Sequence, residues 1–412
     1  MEVFFFFASP PINESCSRFR LHFCSMKLIE VGSKNQERVW LYLDQKVYRN
    51  DSNWIPHIRQ DVSGIFNPTK NKLFREGSAK RWILSDDAGQ PIGRIAAFWS
   101  KRYSTAQKQP TGGIGFFECI DNRDAAFMLF DGACNWLKQE GMEAADGPIN
   151  FGEKEAYWGL LVENFSDMSS FRMNYNLPYY QKFFEEYGFR TYYEQLCYKR
   201  DLSIPAQEVF VRKSNQIMSE PGYRIGTARG RSTDDIAQDF VTIYNAAWAG
   251  LSGFKTMKLE QAKKAVMAMK PVMDPDIMVF VYHHDKPIAF YINLPEVNEF
   301  MQYVHGNLNW WGILKFLYYK KFGKRNTMVG MVFGVDRDYH GKGVEGAMIK
   351  FCEQEIVSLN RYKDTILTWI GDFNPKMIHI AENLGATLNR KLITYRLIFD
   401  KNKTFERHPM LK

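Results

Sequence analysis

At 412 residues the chain is longer than one hydrophobic core usually organises, so two domains are the default expectation. A composition of 45% hydrophobic and 15% aromatic residues excludes a disordered chain. The net charge of +8 favours an anionic partner, but the basic residues are scattered without the aromatic–basic alternation that stacks bases, so no nucleic acid is expected.

Residues 1–25 stand apart. Phe4, Phe5, Phe6, Phe7 and Ala8 form an apolar run far too short to cross a bilayer. Glu2 precedes it where a secretory signal would be basic, and residues 9–25 have no clean period. Met26 is followed by KLIEV, which reads as the first strand of a domain, so 1–25 is expected to be a non-native or disordered extension. No other apolar run reaches spanning length uninterrupted, and the expectation is a cytoplasmic protein without a membrane partner. Cys16, Cys24, Cys119, Cys134, Cys197 and Cys352 form no CxxC pair and no ligand spacing, so free buried thiols and no metal are expected.

In chain order, 27–31 predicts a strand and 36–48 a helix, from the spacing of Val39, Leu43 and Val47. An irregular aromatic stretch leads to strands at 79–85 and 91–100 around the turn DDAGQ. A strand at 112–119 is followed by a helix at 124–140, capped by Asp121 or Asn122 and stopped at Gly141. EAADGPINF reads as a strand entering a loop, 176–187 as a helix ending at Gly188, and 190–200 as a terminal strand. Pro205, Pro221 and Gly222 mark 201–222 as a connection.

The pattern then restarts. A strand at 223–227 precedes helices at 232–248, with Thr233 as cap, and at 259–269. Strands at 278–282 and 287–294 flank the turn HHDK, and an aromatic helix covers 310–320. A strand at 326–335 runs into a glycine turn and a helix at 344–359. A strand at 365–370, a helix at 375–384 and a strand at 388–399 close the chain. Pro178 precedes Gly188, and Pro375 precedes Gly385, by the same interval, each proline in the first turn of a short helix where its missing N–H does no harm. This echo suggests an internal duplication: 26–200, a linker 201–222, 223–400 and a tail 401–412.

Gly341-Lys342-Gly343 lies between a strand and a helix start. Glycines there let the backbone approach an anion closely, and the first-turn amides of the helix are unsatisfied at the positive end of its dipole. A pyrophosphate suits such a place, with Lys342, Arg337 and His340 adding charge. The spacing is neither a P-loop nor a dinucleotide-binding fingerprint, and a plain tight turn is the competing reading.

The decapeptide VDRDYHGKGV, from Val335 to Val344, resembles the acyl-CoA-binding motif of the GNAT superfamily of N-acyltransferases, whose Arg/Gln-x-x-Gly-x-Gly/Ala signature cups the pyrophosphate of coenzyme A. WIGDFNPKMIHIAENLGA, from Trp369 to Ala386, is similar to the motif that follows it, an Asn-led helix beginning at Asn374. In the first half, FFECIDNRDAAFMLFDGACNWLKQEGMEAADGPINF and NYNLPYYQKFFEEYGF resemble a degenerate copy, as in tandem GNAT-like bacterial proteins related in architecture to peptidyl-transferring acyltransferases. The resemblance implies an α/β (α+β) fold of two GNAT-like domains, each a mixed, mostly antiparallel sheet flanked by helices. It implies acetyl-CoA or another acyl-CoA at Val335, Arg337, His340, Gly341, Lys342, Gly343, Val344 and Asn374. It also implies an N-acyltransferase moving the acyl group to an amine of a small molecule or peptide. The match departs at His340, where Arg or Gln is usual, at Glu345, where a small residue is usual, and at Ala381, in place of a tyrosine that protonates the thiolate. The first half, with no glycine turn after Cys119, is not expected to bind coenzyme A.

Direct attack of an amine on a thioester needs a base and a polarised carbonyl but no covalent nucleophile. The candidate bases are Asp336, Asp372, Glu299 and His305, the first three with a structural alternative: a turn cap for Asp336, a bulge for Asp372, a solvated carboxylate for Glu299. The segment from Gly147 to Phe165 places Asn150, Glu153, Tyr157 and Trp158 on a long loop as the candidate acceptor site. Trp310, Trp311, Tyr318 and Tyr319 are expected to pack. The chain is expected to be a monomer or homodimer, and the alternative function is an inactive GNAT-fold module binding a small molecule or protein.

Overall fold

The computed structural model describes residues 26–205, 207–249 and 255–411, so the expected extension, with Cys16 and Cys24, lies outside it. The first half starts with β1 (Lys27–Glu30) and α1 (Lys34–Val47). Reciprocal capping nucleates α1: the Gln36 amide donates to the Ser33 hydroxyl, and the Ser33 amide donates to the Gln36 side chain. A short helix, α2 (Arg59–Ile65), occupies the stretch expected to be irregular. The hairpin of β2 (Gly77–Ser85) and β3 (Pro91–Ser100) leads through the one-turn α3 (Lys101–Ser104) to β4 (Thr111–Cys119). Asn122 caps α4 (Arg123–Gln139), which sends Ala126, Leu129, Phe130, Ala133 and Leu137 into the core at helical spacing. β5 (Ala144–Gly147), β6 (Leu160–Glu163), α5 (Tyr180–Tyr187) and β7 (Arg190–Asp201) complete this half. β6 lies within the segment expected to be a loop.

The connecting segment is not featureless, since it folds as α6 (Glu208–Ser219). The second half contains β8 (Tyr223–Thr227), α7 (Thr233–Trp248) and α8 (Leu259–Met269). Ser232, not Thr233, caps α7, accepting from the Asp235 amide. Then come β9 (Met278–His283), β10 (Lys286–Pro295), α9 (Asn298–Met301), α10 (Trp310–Phe322) and β11 (Thr327–Val335). α11 (Val344–Phe351) continues as a π turn through Ile356, followed by β12 (Asp364–Gly371), α12 (Pro375–Asn383) and β13 (Thr387–Ile398). Asn374 caps α12 and Pro375 opens it, where its lack of an amide hydrogen is harmless.

One sheet holds the whole chain, in the order β1-β2-β3-β4-β5-β13-β7-β12-β11-β10-β9-β8, with β6 beside β13. The order reads alike from both ends. Antiparallel neighbours lead to a single parallel pair, β4 with β5 on one side and β11 with β12 on the other. At the centre the last strands are exchanged: β13 pairs with β5 of the first half, and β7 pairs with β12 of the second. The exchange is locked by side chains. Ile393 and Tyr395 of β13 join the first-half core around Phe130 and Phe184. Leu196 and Tyr198 of β7 pack with Ile370 and Ala381 of the second. Arg396, opposite Asp146 in the strand register, binds its carboxylate through two bonds of 2.6 and 2.7 Å, both side chains almost fully buried. Cys119, Cys134, Cys197 and Cys352 are free and buried, and burial pushes their thiols up to about 12.

Candidate active site

A fork in the sheet positions the site. β11 and β12 pair only from Thr327 opposite Asp364 to Gly330 opposite Leu367, and then part. The parting begins at a bulge: β10 passes from Ile292 opposite Val332 to Asn293 opposite Gly330, leaving Met331 unpaired and 45% exposed. At the fork the Thr368 hydroxyl donates to the Gly330 carbonyl at 2.8 Å. β12 stays paired with β7 along its length, and beyond Gly371 the Asp372 amide still donates to the Glu194 carbonyl at 3.0 Å. Among the described residues, no strand pairs with residues 331–335 on the side facing β12.

The first half forks in the same way but is closed. β4 and β5 pair from Thr111 opposite Ala144 to Gly113 opposite Asp146, and β4 bulges between Gly115 and Glu118. The chain after β5 then enters its own fork, and the Ile149 amide donates to the Ile114 carbonyl at 2.8 Å. Gly115 makes this approach possible: a Cβ there would lie 1.9 Å from the Ile149 carbonyl oxygen. The backbone positions left open in the second half are used by the protein itself in the first.

β11 ends at Val335, and the Asp336 carboxylate caps the short turn Arg337–Tyr339 through the Asp338 amide, 3.2 Å away. Gly341 and Gly343 follow at φ 75° and 97°, left-handed conformations that favour glycine. Gly343 has a second reason, since a Cβ there would come within 3.0 Å of the Lys213 carbonyl of α6. α11 starts directly after it with no side-chain cap, leaving the first-turn amides at the positive end of the helix available to a ligand. Beside the turn lies a hollow of about 220 Å³ lined by Lys213, Gln216, Ile217, Glu220, Tyr223, Gly341 and Lys342. The Lys342 ammonium sits 5.0 Å over the Tyr339 ring, whose hydroxyl lies 2.9 Å from His283 Nδ1. Two left-handed glycines, two lysines and an uncapped helix start fit a phosphate-bearing ligand.

Val344 is fully buried, Arg337 and His340 are exposed, and His340 Nε2 lies 3.0 Å from the Val335 carbonyl. Counted back from Gly341, the signature's Arg/Gln position falls on Asp338 rather than on His340. Glu345 is half-buried in the first turn of α11, where its carboxylate competes with a bound anion for the same dipole.

The candidate bases do not converge. Asp336 is buried and paired with Lys286 at 2.8 Å, serving as a cap. Asp372 pairs with Arg407 at the end of β12. Glu299 sits on α9 and accepts from the Asn326 and Thr327 amides at 3.0 and 3.1 Å; burial pushes its carboxyl up to about 7. Those amides begin β11 and Asp336 follows its end, so the two carboxylates are anchored at backbone positions roughly 30 Å apart at strand rise. His305 follows α9, exposed, at φ 53°. In the acceptor segment, Glu153 is exposed while Asn150, Tyr157 and Trp158 are buried. Tyr157 packs edge-on to His57 with ring centroids 4.6 Å apart, and the Trp158 indole donates to the Tyr193 hydroxyl at 2.8 Å. Lys213, Gln216 and Thr368 were missed by sequence reasoning. The first two lie in the segment taken for a linker, and Thr368 carries no motif.

Two half-sheets, each with a bulged strand forking from a parallel neighbour and a glycine turn opening a helix in one of them, make up a fold shared with solved GNAT N-acetyltransferases. Among solved structures, a tandem GNAT protein from the clavulanic acid biosynthesis pathway superposes with a TM-score of 0.51 at 11% identity, covering 92% of this chain and 100% of that one. A GCN5-related glucosamine N-acetyltransferase region of a fungal multi-domain beta-N-acetylglucosaminidase gives 0.51 at 12% identity, over 91% of this chain but only 38% of that longer one. Among curated proteins, a bacterial ceramide synthase of Caulobacter vibrioides is 25% identical over 383 residues, 90% of this chain and 96% of that protein. Protein YghO of Escherichia coli K12 is 24% identical over 371 residues, 86% and 90% of the two. No protein-family profile matches the chain. Among the described residues no helix is long and apolar enough to cross a membrane, and no cluster of His, Cys, Asp and Glu has the makings of a metal site.

Proposed function

We propose that the protein is an acyl-CoA-dependent N-acyltransferase whose segment 223–400 holds the acyl-CoA, with 26–200 as a structural partner unable to do so. The observation that carries this reading is the contrast between the two forks, one filled by Ile149 and the other left with an unpaired edge leading to the glycine turn. Acyl-CoA supplies a thioester at the end of an amide-bearing arm, and a pyrophosphate at its other end. Lys342, Lys213, the left-handed glycines and the first-turn amides of α11 suit the pyrophosphate, and the open edge of residues 331–335 suits the arm and polarises the carbonyl. The acceptor amine attacks that carbonyl; a C–N bond forms, the C–S bond breaks, and the proton shed by the amine ends on the thiolate.

The near full-length relative named a ceramide synthase supports the choice of acceptor class. A ceramide is a long-chain amino alcohol acylated on nitrogen, so the amine of such a lipid, with a long acyl chain in place of acetyl, is our reading over a peptide. We place the reaction in the cytoplasm, where acyl-CoA is made. The test is thermal denaturation with coenzyme A together with thiol release from a long-chain acyl-CoA given a long-chain amino alcohol. At 100-fold excess over its dissociation constant, coenzyme A should stabilise the fold by about 2.7 kcal/mol. Gly341→Asp should remove that gain, because the new carboxylate repels the anion; the φ of 75° strains any side chain there, so the gain is read against the variant's own melt without coenzyme A. No stabilisation and no thiol release would sink the proposal. Ala381, buried where the resemblance calls for a phenol, favours a non-catalytic binding module as the second reading. Stabilisation by coenzyme A with no thiol release over a panel of amines would select it.

A further inference from the structure

We infer that α10 is a peripheral docking element for an anionic lipid bilayer surface. Only Gly312 and Phe316 of this helix are buried, and its inner stripe rests on a cluster formed by α9 with Ile55 and Ile58 of the first half. Of the aromatic residues expected to pack, Tyr319 does so against this cluster, whereas Trp310, Trp311 and Tyr318 do not. Trp310, Trp311, Leu314, Leu317, Tyr318 and Phe322 are 49 to 64% exposed on a helix of 13 residues, and the two indoles stack on each other rather than on the core. A helix that faces only water carries polar residues on its outer side, and a continuous apolar patch of this kind marks a binding surface.

The charges around the patch choose the occupant. Residues 307–326 include Lys315, Lys320, Lys321, Lys324 and Arg325 and no Asp or Glu. Lys320 and Arg325 are tied to the Pro271 carbonyl and to Asp274, while Lys315, Lys321 and Lys324 are exposed. In a two-fold dimer through this face the same lysines would meet their own copies with no carboxylate from the segment between them. Anionic headgroups neutralise them, the lysine stems lie along the apolar surface, and Trp and Tyr suit the boundary between headgroup and acyl chain. The helix is preformed: Asn309 caps it through the Gly312 amide at 2.9 Å, and Tyr319 stacks on Tyr303 at 3.7 Å. The corresponding connection of the first half holds only the four residues of α3. α10 leads directly into β11, so docking would bring the fork near the lipid, but bilayer binding does not rest on the acyltransferase reading. It runs against the expectation of a protein with no membrane partner.

Co-sedimentation of the full chain with vesicles, measured without acyl-CoA, tests the inference. Phosphatidylcholine vesicles containing about one-third phosphatidylglycerol should bind roughly ten-fold more tightly than pure phosphatidylcholine, with the difference falling as salt is raised. Leu314→Glu with Leu317→Glu, both on exposed positions, should weaken binding by about ten-fold or more while thermal stability is kept. Lys321→Glu with Lys324→Glu should remove the preference for anionic vesicles. No binding to the anionic vesicles, or binding unchanged in the leucine variant, overturns the inference. So does a dimer in light scattering that the leucine variant splits, since the face would then belong to a second copy. Loss of thiol release with vesicle binding intact would count against the acyltransferase reading alone.

Discussion

Arg396→Met probes the strand exchange on which both halves depend. Arg396 belongs to the last strand of the chain, yet its guanidinium is closed around Asp146 of the first half, with side-chain exposures of 4% and 0%. The Tyr103 hydroxyl also donates to this carboxylate at 2.6 Å, and Gln107 accepts from Arg396 at 2.7 Å. Methionine fills much of the arginine stem's volume but leaves the Asp146 carboxylate buried without a counter-charge. Breaking a buried pair in this way destabilises by about 3–5 kcal/mol. Asp146→Asn in the same background removes the stranded charge while keeping an acceptor for Tyr103, and should recover about 1–2 kcal/mol. Urea denaturation followed by tryptophan fluorescence and by far-UV circular dichroism is the assay. Because β13 and β7 tie the halves together, the two probes should report one coincident transition that moves as a whole. Two separate transitions with only one displaced, or a loss below about 1 kcal/mol, would refute the reasoning.

Gly115→Ala should destabilise by about 2–3 kcal/mol, since its Cβ meets the Ile149 backbone oxygen and the plug must shift. Gly32→Ala, with nothing within 4 Å, is the control; equal melts for the two would contradict the closed fork. Burial pushes the Glu118 carboxyl up to about 7, from an ordinary 4.5, against the pull of Arg94. The folded state therefore holds this proton more tightly than the unfolded chain, and the group's contribution to stability falls as pH rises from about 4.5 to about 7, by at most roughly 1.4 kcal/mol per unit, then levels off. Glu118→Gln should flatten that decline in urea midpoints measured between pH 5 and 8; an unchanged slope would place the titration elsewhere.

Local signals in the sequence carried far. The turn DDAGQ between β2 and β3, the Asn122 cap of α4, and Asn374-Pro375 at the head of α12 each state their own geometry within a few residues, and the structure follows them. Long-range choices were not legible. The run 388–399 reads as a strand, but the open edges of β5 and β12 would accept it equally, so the exchange is decided by packing such as Tyr395 against Phe184. β6 exists only because it pairs with β13, over 220 residues away. Pro205 and Gly222 made α6 look like a linker and hid Lys213 beside the glycine turn. The candidate bases are expected near β11, yet a strand has two ends, and Glu299 and Asp336 stand at opposite ones. The uncovered side of α10 was hidden as well, because aromatic residues at helical spacing normally pack within a core.

Hydrogen exchange with and without saturating coenzyme A tests most directly whether the open fork and glycine turn of the second half form the acyl-CoA site. Protection is expected at the amides of residues 332–335 and 343–346, with no change at residues 111–115, whose fork Ile149 already fills. Protection of the first-half fork, or none at the glycine turn, would contradict it.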